Sequence, residues 1–162
     1  MAERKTTPAI DDVAFLGRTV ERLSVLIAEQ SKAVFEERGI VIPVRSCSLM
    51  TVLAKLGAAS ASDLARDLGH SHQLVMQKIP KLISLGLIRG RDDHDDARRR
   101  LFALTDKGIE QFAKFEHCTI LLRVAYARLF AEVGDVKDLI ERTAAALDYK
   151  PLHDRVGLGP TI

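Results

Sequence analysis

Between Ala58 and Ile88 the apolar residues fall into two short helical patterns hinged on one glycine, and this stretch constrains the chain path more tightly than any other. Ser60 or Ser62 can cap a short helix whose Leu64, Ala65 and Leu68 face inward. Gly69 supplies the tight turn and Ser71 opens a new cap. Two helices joined this way form a helix-turn-helix. In the second, Val75, Ile79 and Leu82 stand at i, i+4 and i+7 and turn inward, which leaves His72, Gln73, Met76 and Gln77 on or near the opposite side, within reach of a DNA groove. Pro80 lies well inside that helix. It removes the hydrogen bond to the Met76 carbonyl at a cost of about 3 kcal/mol unless the helix bends, and leaves open whether the helix bends there or ends early.

After Gly86 the period shortens. Leu87 to Arg91 and Arg98 to Leu104 read as two strands joined by the charged turn Asp92 to Ala97, a β-hairpin wing. Net charge over the 162 residues is only +2, too small to announce a nucleic-acid partner. Its distribution is more informative. Ser71 to Lys107 holds eight Lys or Arg against five Asp, and three of the arginines, Arg98, Arg99 and Arg100, are consecutive.

Long helices flank this region. Residues 1–12 are polar and without period, and are expected to form a flexible arm. From Val13 onward Leu16, Val20, Leu23, Ile27 and Val34 form a heptad-like seam that needs another helix, ended by Gly39 and Pro43. Ser46 is the expected cap of a helix over Cys47 to Leu56, closed by Gly57. Thr105 should cap a long helix to about Glu132, apolar nearly all round in its second half, and Gly134 and Asp135 should start a last amphipathic helix. The tail after Pro151 is expected to be irregular. The expected division is therefore an arm at 1–12, helical dimerisation segments at 13–40 and 109–150, a DNA-binding region at 44–108, and a tail at 151–162. Helices this apolar on one face are expected to pair across a two-fold axis.

The apolar share of 47% is carried mostly by Leu, Ala, Val and Ile, with no Trp, which favours helices over a sandwich or barrel. Cys47 and Cys118 lie far apart outside any CxxC spacing, so no disulfide framework is expected, and both read as buried, inert thiols. With Arg123 and Arg128 interrupting the most hydrophobic stretch, no membrane span is expected. The expected setting is the cytoplasm. His70 and His72 form a His-x-His pair, but no spaced Cys or Glu completes a metal set, and no metal or cofactor is expected. There is no Walker-type or dinucleotide glycine loop, no HExxH and no nucleophile elbow, so catalysis is not expected.

Ser62 to Gly69, Ser71, Leu85-Gly86-Leu87-Ile88-Arg89, Asp96-Ala97-Arg98 and Leu104-Thr105-Asp106-Lys107-Gly108 together resemble the MarR family of winged helix-turn-helix regulators, over roughly Val13 to Leu147. The resemblance implies a homodimer built on the first and last helices, with two recognition helices in successive major grooves and two wings over minor grooves. It implies repression relieved by a small ligand or oxidant. By position Arg98 would be the wing arginine that enters the minor groove, and Asp96 its acidic companion. Ala97 and Gln77 stand where the family often has basic residues.

The expected architecture is mainly α with a small β-wing, and the expected partners are double-stranded DNA, a second copy of the chain and a small-molecule effector. Gln73 or Gln77 could read an adenine edge, and His72 a guanine acceptor or a phosphate. Lys78 and Lys81 suit phosphates, as does one of Arg99 and Arg100, which alternate faces on a strand. Ser71 caps the helix and presents amides that can also meet a phosphate. Met76 completes the groove-facing set. Phe15, Arg45 and His117 are candidate linings of an effector pocket, whose residues the sequence does not identify. A helical adaptor that keeps the winged fold but recognises a protein is the competing expectation.

Overall fold

The computed structural model describes residues 9–94 and 99–157. It is mainly helical with one small sheet, as the sequence leads one to expect. Asp12 caps a single 3-10 turn at Val13–Phe15 by accepting from the Ala14 amide at 2.8 Å, and α1 follows over Leu16–Glu37. Gly39, at φ 62°, ends it in the left-handed conformation that lets the Ile40 amide reach back to the Phe35 carbonyl at 2.9 Å. The second helix, α2, spans Cys47–Leu56, but Ser46 does not cap it with its side chain. A 3-10 turn over Val44–Ser46 already carries the chain into the helix, so Ser46 has helical angles and is buried.

Strand β1, Ala58–Ser60, leads into α3, Ala61–Leu68, and Gly69 turns the chain into α4, His72–Ser84. Of the two serines available, Ser60 is the cap. It accepts from the Asp63 amide at 3.2 Å while the Asp63 carboxylate accepts from the Ser60 amide at 3.1 Å, a reciprocal capping box. Ser71 caps α4 through the Leu74 amide at 3.3 Å. Pro80 neither stops nor shortens α4, which runs on to Ser84.

Strands β2, Ile88–Asp92, and β3, Arg100–Leu104, form the hairpin, and β1 adds to the outer edge of β3 to give an antiparallel sheet ordered β1-β3-β2. Ala59 pairs with Phe102, and Phe102 with Gly90. This third strand was not expected from the sequence, because Ala58-Ala59-Ser60 has neither apolar alternation nor β-branched residues. It exists by pairing with β3. Helices α5, Asp106–Val133, α6, Val136–Tyr149, and α7, Leu152–Val156, complete the described chain. The last corrects the expectation of an irregular tail: Pro151 occupies its N-cap position, but one short turn carries too little period to be read.

The chain divides between Cys118 and Thr119 into two compact units. The core of the first gathers Leu49, Met50 and Leu53 from α2, Leu64 from α3, Val75 and Leu82 from α4, and Leu87, Ile88 and Phe102 from the sheet region, all essentially excluded from solvent. Each such burial contributes about 1.5–3 kcal/mol. On α1 only Ser31 and Phe35 are buried, and the seam residues Leu16, Val20, Leu23 and Ile27 remain 36–50% exposed. In the second unit Ile120, Leu121, Val124, Leu129 and Val133 of α5 and Leu139, Ile140 and Leu147 of α6 are likewise exposed.

Candidate nucleic-acid interface

The three carbonyls that follow α4 are held by the start of α5. Lys107 Nζ donates to the Leu85 carbonyl at 2.8 Å, Thr105 Oγ1 to the Gly86 carbonyl at 2.6 Å, and the Thr105 amide to the Leu87 carbonyl at 3.1 Å. Thr105 Oγ1 in turn accepts from the Gly108 amide at 3.0 Å, which caps α5. A Cβ on Gly108 would overlap the Leu87 carbonyl oxygen. The Leu-Thr-x-x-Gly segment is therefore a lock between the end of α4 and the first turn of α5.

Anchored at that end, α4 presents Ser71, His72, Gln73, Met76 and Gln77 to solvent, as the 3.6 period requires once Val75, Ile79 and Leu82 are buried. Leu74, 40% exposed, shares this surface and had not been singled out. Lys78 differs from its neighbours. It is half-buried, and burial first and the Arg45 charge second lower its proton affinity. Lys81 is exposed and lines a different surface, a cleft against α1.

A crevice of about 610 Å³ runs between α4 and the sheet. His72 and Met76 line it from α4, Arg99, Arg100 and Phe102 from the wing side, and Ser60 and Asp63 from the start of α3. Arg99 and Arg100 serve different ends. Arg99 donates to the Asp63 carboxylate, with its Nη2 3.5 Å from Ser60 Oγ and its Nε 3.8 Å from Asp93. Arg100 lies across Gly90 of the neighbouring strand, where a Cβ would stand 2.6 Å from its Nε. Asp96 and Arg98 lie outside the described residues.

Asp63 was not among the expected site residues. The Ser60 hydroxyl, donating at 2.7 Å, and then the Ser60 amide hold its carboxyl well below the usual carboxylate range, with Arg99 and Arg66 adding to the effect. Its signal was present in Ser60-x-x-Asp63, a capping-box spacing. Of the candidate effector linings, Arg45 does border the cleft against α1, of about 660 Å³, formed by Val25, Ala28, Lys32 and Phe35 of α1, the connection over 40–45, and Lys81 and Leu85. Phe15 and His117 are not among its walls.

Cys47 and Cys118 are both free and buried. Desolvation, and then the nearby Cys118, push the Cys47 thiol up to about 12. The folded protein is therefore expected to resist iodoacetamide at mildly alkaline pH, with both thiols reacting only in denaturant. Rapid alkylation of either under native conditions would contradict the burial.

No protein-family model and no curated relative matches the sequence. Solved structures do match. The chain superposes on a point mutant of MarR from E. coli complexed with operator DNA with a TM-score of 0.65 at 13% identity, covering 90% of this chain and 100% of that one. Against the transcriptional repressor CouR bound to a 23-mer DNA duplex the TM-score is 0.63 at 18% identity, covering 88% and 99%. Against AbsC, a MarR family transcriptional regulator from Streptomyces coelicolor, it is 0.60 at 22% identity, covering 93% and 98%. The chain has the winged-helix fold of MarR-family regulators.

Proposed function

We propose that this protein is a transcription regulator that binds a pseudo-palindromic duplex operator as a homodimer. The observation that carries the reading is the pairing of an exposed, polar first half of α4 with a basic wing strand across one crevice, on a fold that MarR and CouR use in their DNA complexes. His72, Gln73, Met76 and Gln77 face the major groove. Arg98 enters the minor groove, where the narrow walls concentrate negative potential, and Asp96 supports it. Ser71 at the cap and Arg100 meet phosphates, whereas Lys81 borders the cleft against α1. Lys78 contributes less, because it is half-buried. The exposed apolar faces of α1 and of the second unit support dimerisation: patches this extensive are normally covered.

The regulator acts as a repressor, and a small ligand releases it. The cleft beside Arg45 and Lys81 is mostly apolar, and its charged lining is mixed, with Glu29 and Glu36 beside Lys32, Arg45 and Lys81, which suits a largely apolar molecule. Buried thiols favour a ligand over an oxidant.

The test is selection from randomised duplexes followed by titration at several salt concentrations, beside Arg98→Ala. Enrichment of a palindrome, a steep negative salt slope and about 1–3 kcal/mol of weakening in the variant are expected. Weak binding that ignores both salt and Arg98 would overturn the reading and favour a protein-binding adaptor.

A further inference from the structure

We propose that Asp63 is a positioning residue for the wing: by ion-pairing with Arg99 it fixes the base of the wing strand against the first turn of α3, and it takes Arg99 out of direct contact with DNA. The proposal rests on the DNA-binding reading for its consequence, although the clamp itself is independent of DNA.

Three observations carry it. The three consecutive arginines look equivalent in the sequence, yet of the two that are described, Arg99 and Arg100, it is Arg99 that is tied to a carboxylate on another element, 36 residues away. That carboxylate is not a loose surface group. It is pinned by the Ser60 hydroxyl at 2.7 Å and the Ser60 amide at 3.1 Å, so its position is set by the start of α3. The wing is also bound to the same place through its backbone. Ser60 pairs with Leu101 in the β1–β3 ladder, and the Asp93 amide donates to the Arg99 carbonyl at 2.8 Å, which extends the hairpin one step beyond the strand.

Arg99 therefore sits where backbone ladder and ion pair meet. Its neighbour Arg100 lies over Gly90 instead of on a carboxylate, and its charge is available to phosphate. A guanidinium suits the clamp, because its planar fork can reach Asp63 and Asp93 together, at 3.8 Å to the latter. An ammonium presents a single point charge.

The consequence separates this role from an ordinary phosphate contact. Asp63→Asn removes a negative charge beside the DNA-facing crevice, and electrostatics alone would make it bind tighter. If Asp63 positions the wing, it binds weaker.

The experiment uses the full-length protein and the duplex enriched in the selection above. Asp63→Asn keeps an oxygen that can accept from the Ser60 amide, so the α3 cap is retained, and a thermal melt verifies folding. Asp63→Asn and Arg99→Ala are each expected to weaken binding about tenfold, and the double variant no more than either alone. Arg99→Lys, which keeps one ion pair, is expected to recover most of the loss. The salt slope should stay at the wild-type value throughout. Hydrogen exchange gives a readout that needs no DNA: the Asp93 amide should exchange about tenfold faster in Asp63→Asn, with Leu49 and Leu82 unchanged.

Tighter binding by Asp63→Asn, or a salt slope reduced by about one in Arg99→Ala, would overturn the proposal and make Arg99 a phosphate contact. Unaltered Asp93 exchange would overturn it too. Absence of duplex binding by the wild-type protein would strike the DNA reading instead, and the exchange measurement would still decide the clamp.

Discussion

Gly108→Ala is expected to lower the thermal midpoint by about 6–12 °C, corresponding to about 3 kcal/mol in a chain of this size. The sign makes the prediction sharp. Gly108 sits in the first turn of a helix at an ordinary negative φ, where alanine normally stabilises by about 0.5–1 kcal/mol. Here the added methyl would overlap a backbone oxygen, that of Leu87, and backbone cannot swing aside as a flexible side chain can. Relief requires α5 to withdraw from the end of α4, which stretches the bonds from Thr105 and Lys107 to the Gly86 and Leu85 carbonyls. Calorimetry on the purified variant measures the loss. A midpoint unchanged or raised would mean that the two segments are not locked.

Val124→Asp is expected to leave the folded chain nearly as it is and to abolish the dimer. Val124 is 49% exposed in the single chain, so a carboxylate there meets water and costs within about 0.5 kcal/mol. Against a partner subunit the same carboxylate would be buried without a counter-ion, at several kcal/mol. Sedimentation should report about 17.9 kDa for the variant and twice that for the wild type. Affinity for the enriched duplex should fall by about 10²- to 10⁴-fold, because the second half-site loses its effective concentration. A wild-type protein that sediments as a monomer, or a variant that stays dimeric, would remove this face from the interface.

What could be read from the sequence was what local physics decides. Val75, Ile79 and Leu82 are buried because their spacing admits one inward face, and Gly69 and Ser71 end one helix and start the next because few other residues do. Ala58-Ala59-Ser60 could not be read as a strand, since its conformation comes from β3, more than forty residues on. Ser46 stands at the expected N-cap position but makes no side-chain cap bond, because the preceding turn had already set its backbone. In the site, strand alternation led one to expect different roles for Arg99 and Arg100, but Arg99 lies just before β3 and its carboxylate partner could not be read from the sequence. That depends on Asp63 being carried under the wing by α3, a tertiary fact. Even so, the capping-box spacing that fixes Asp63 was visible before any fold was known.

The carbonyls just after α4 are tied to the start of α5, and among the described residues the N-terminal cap of α4 carries no such tie, so a tilt of α4 would pivot about a fulcrum near Leu85. Thirteen residues make an arm of about 20 Å. A tilt of about 10° about the fulcrum carries Ser71 and His72 through about 3 Å, the length of one hydrogen bond. The residues nearest the fulcrum barely travel, so loss of register would begin at the cap and spread inward, and base contacts from His72 and Gln73 would break before those from Gln77.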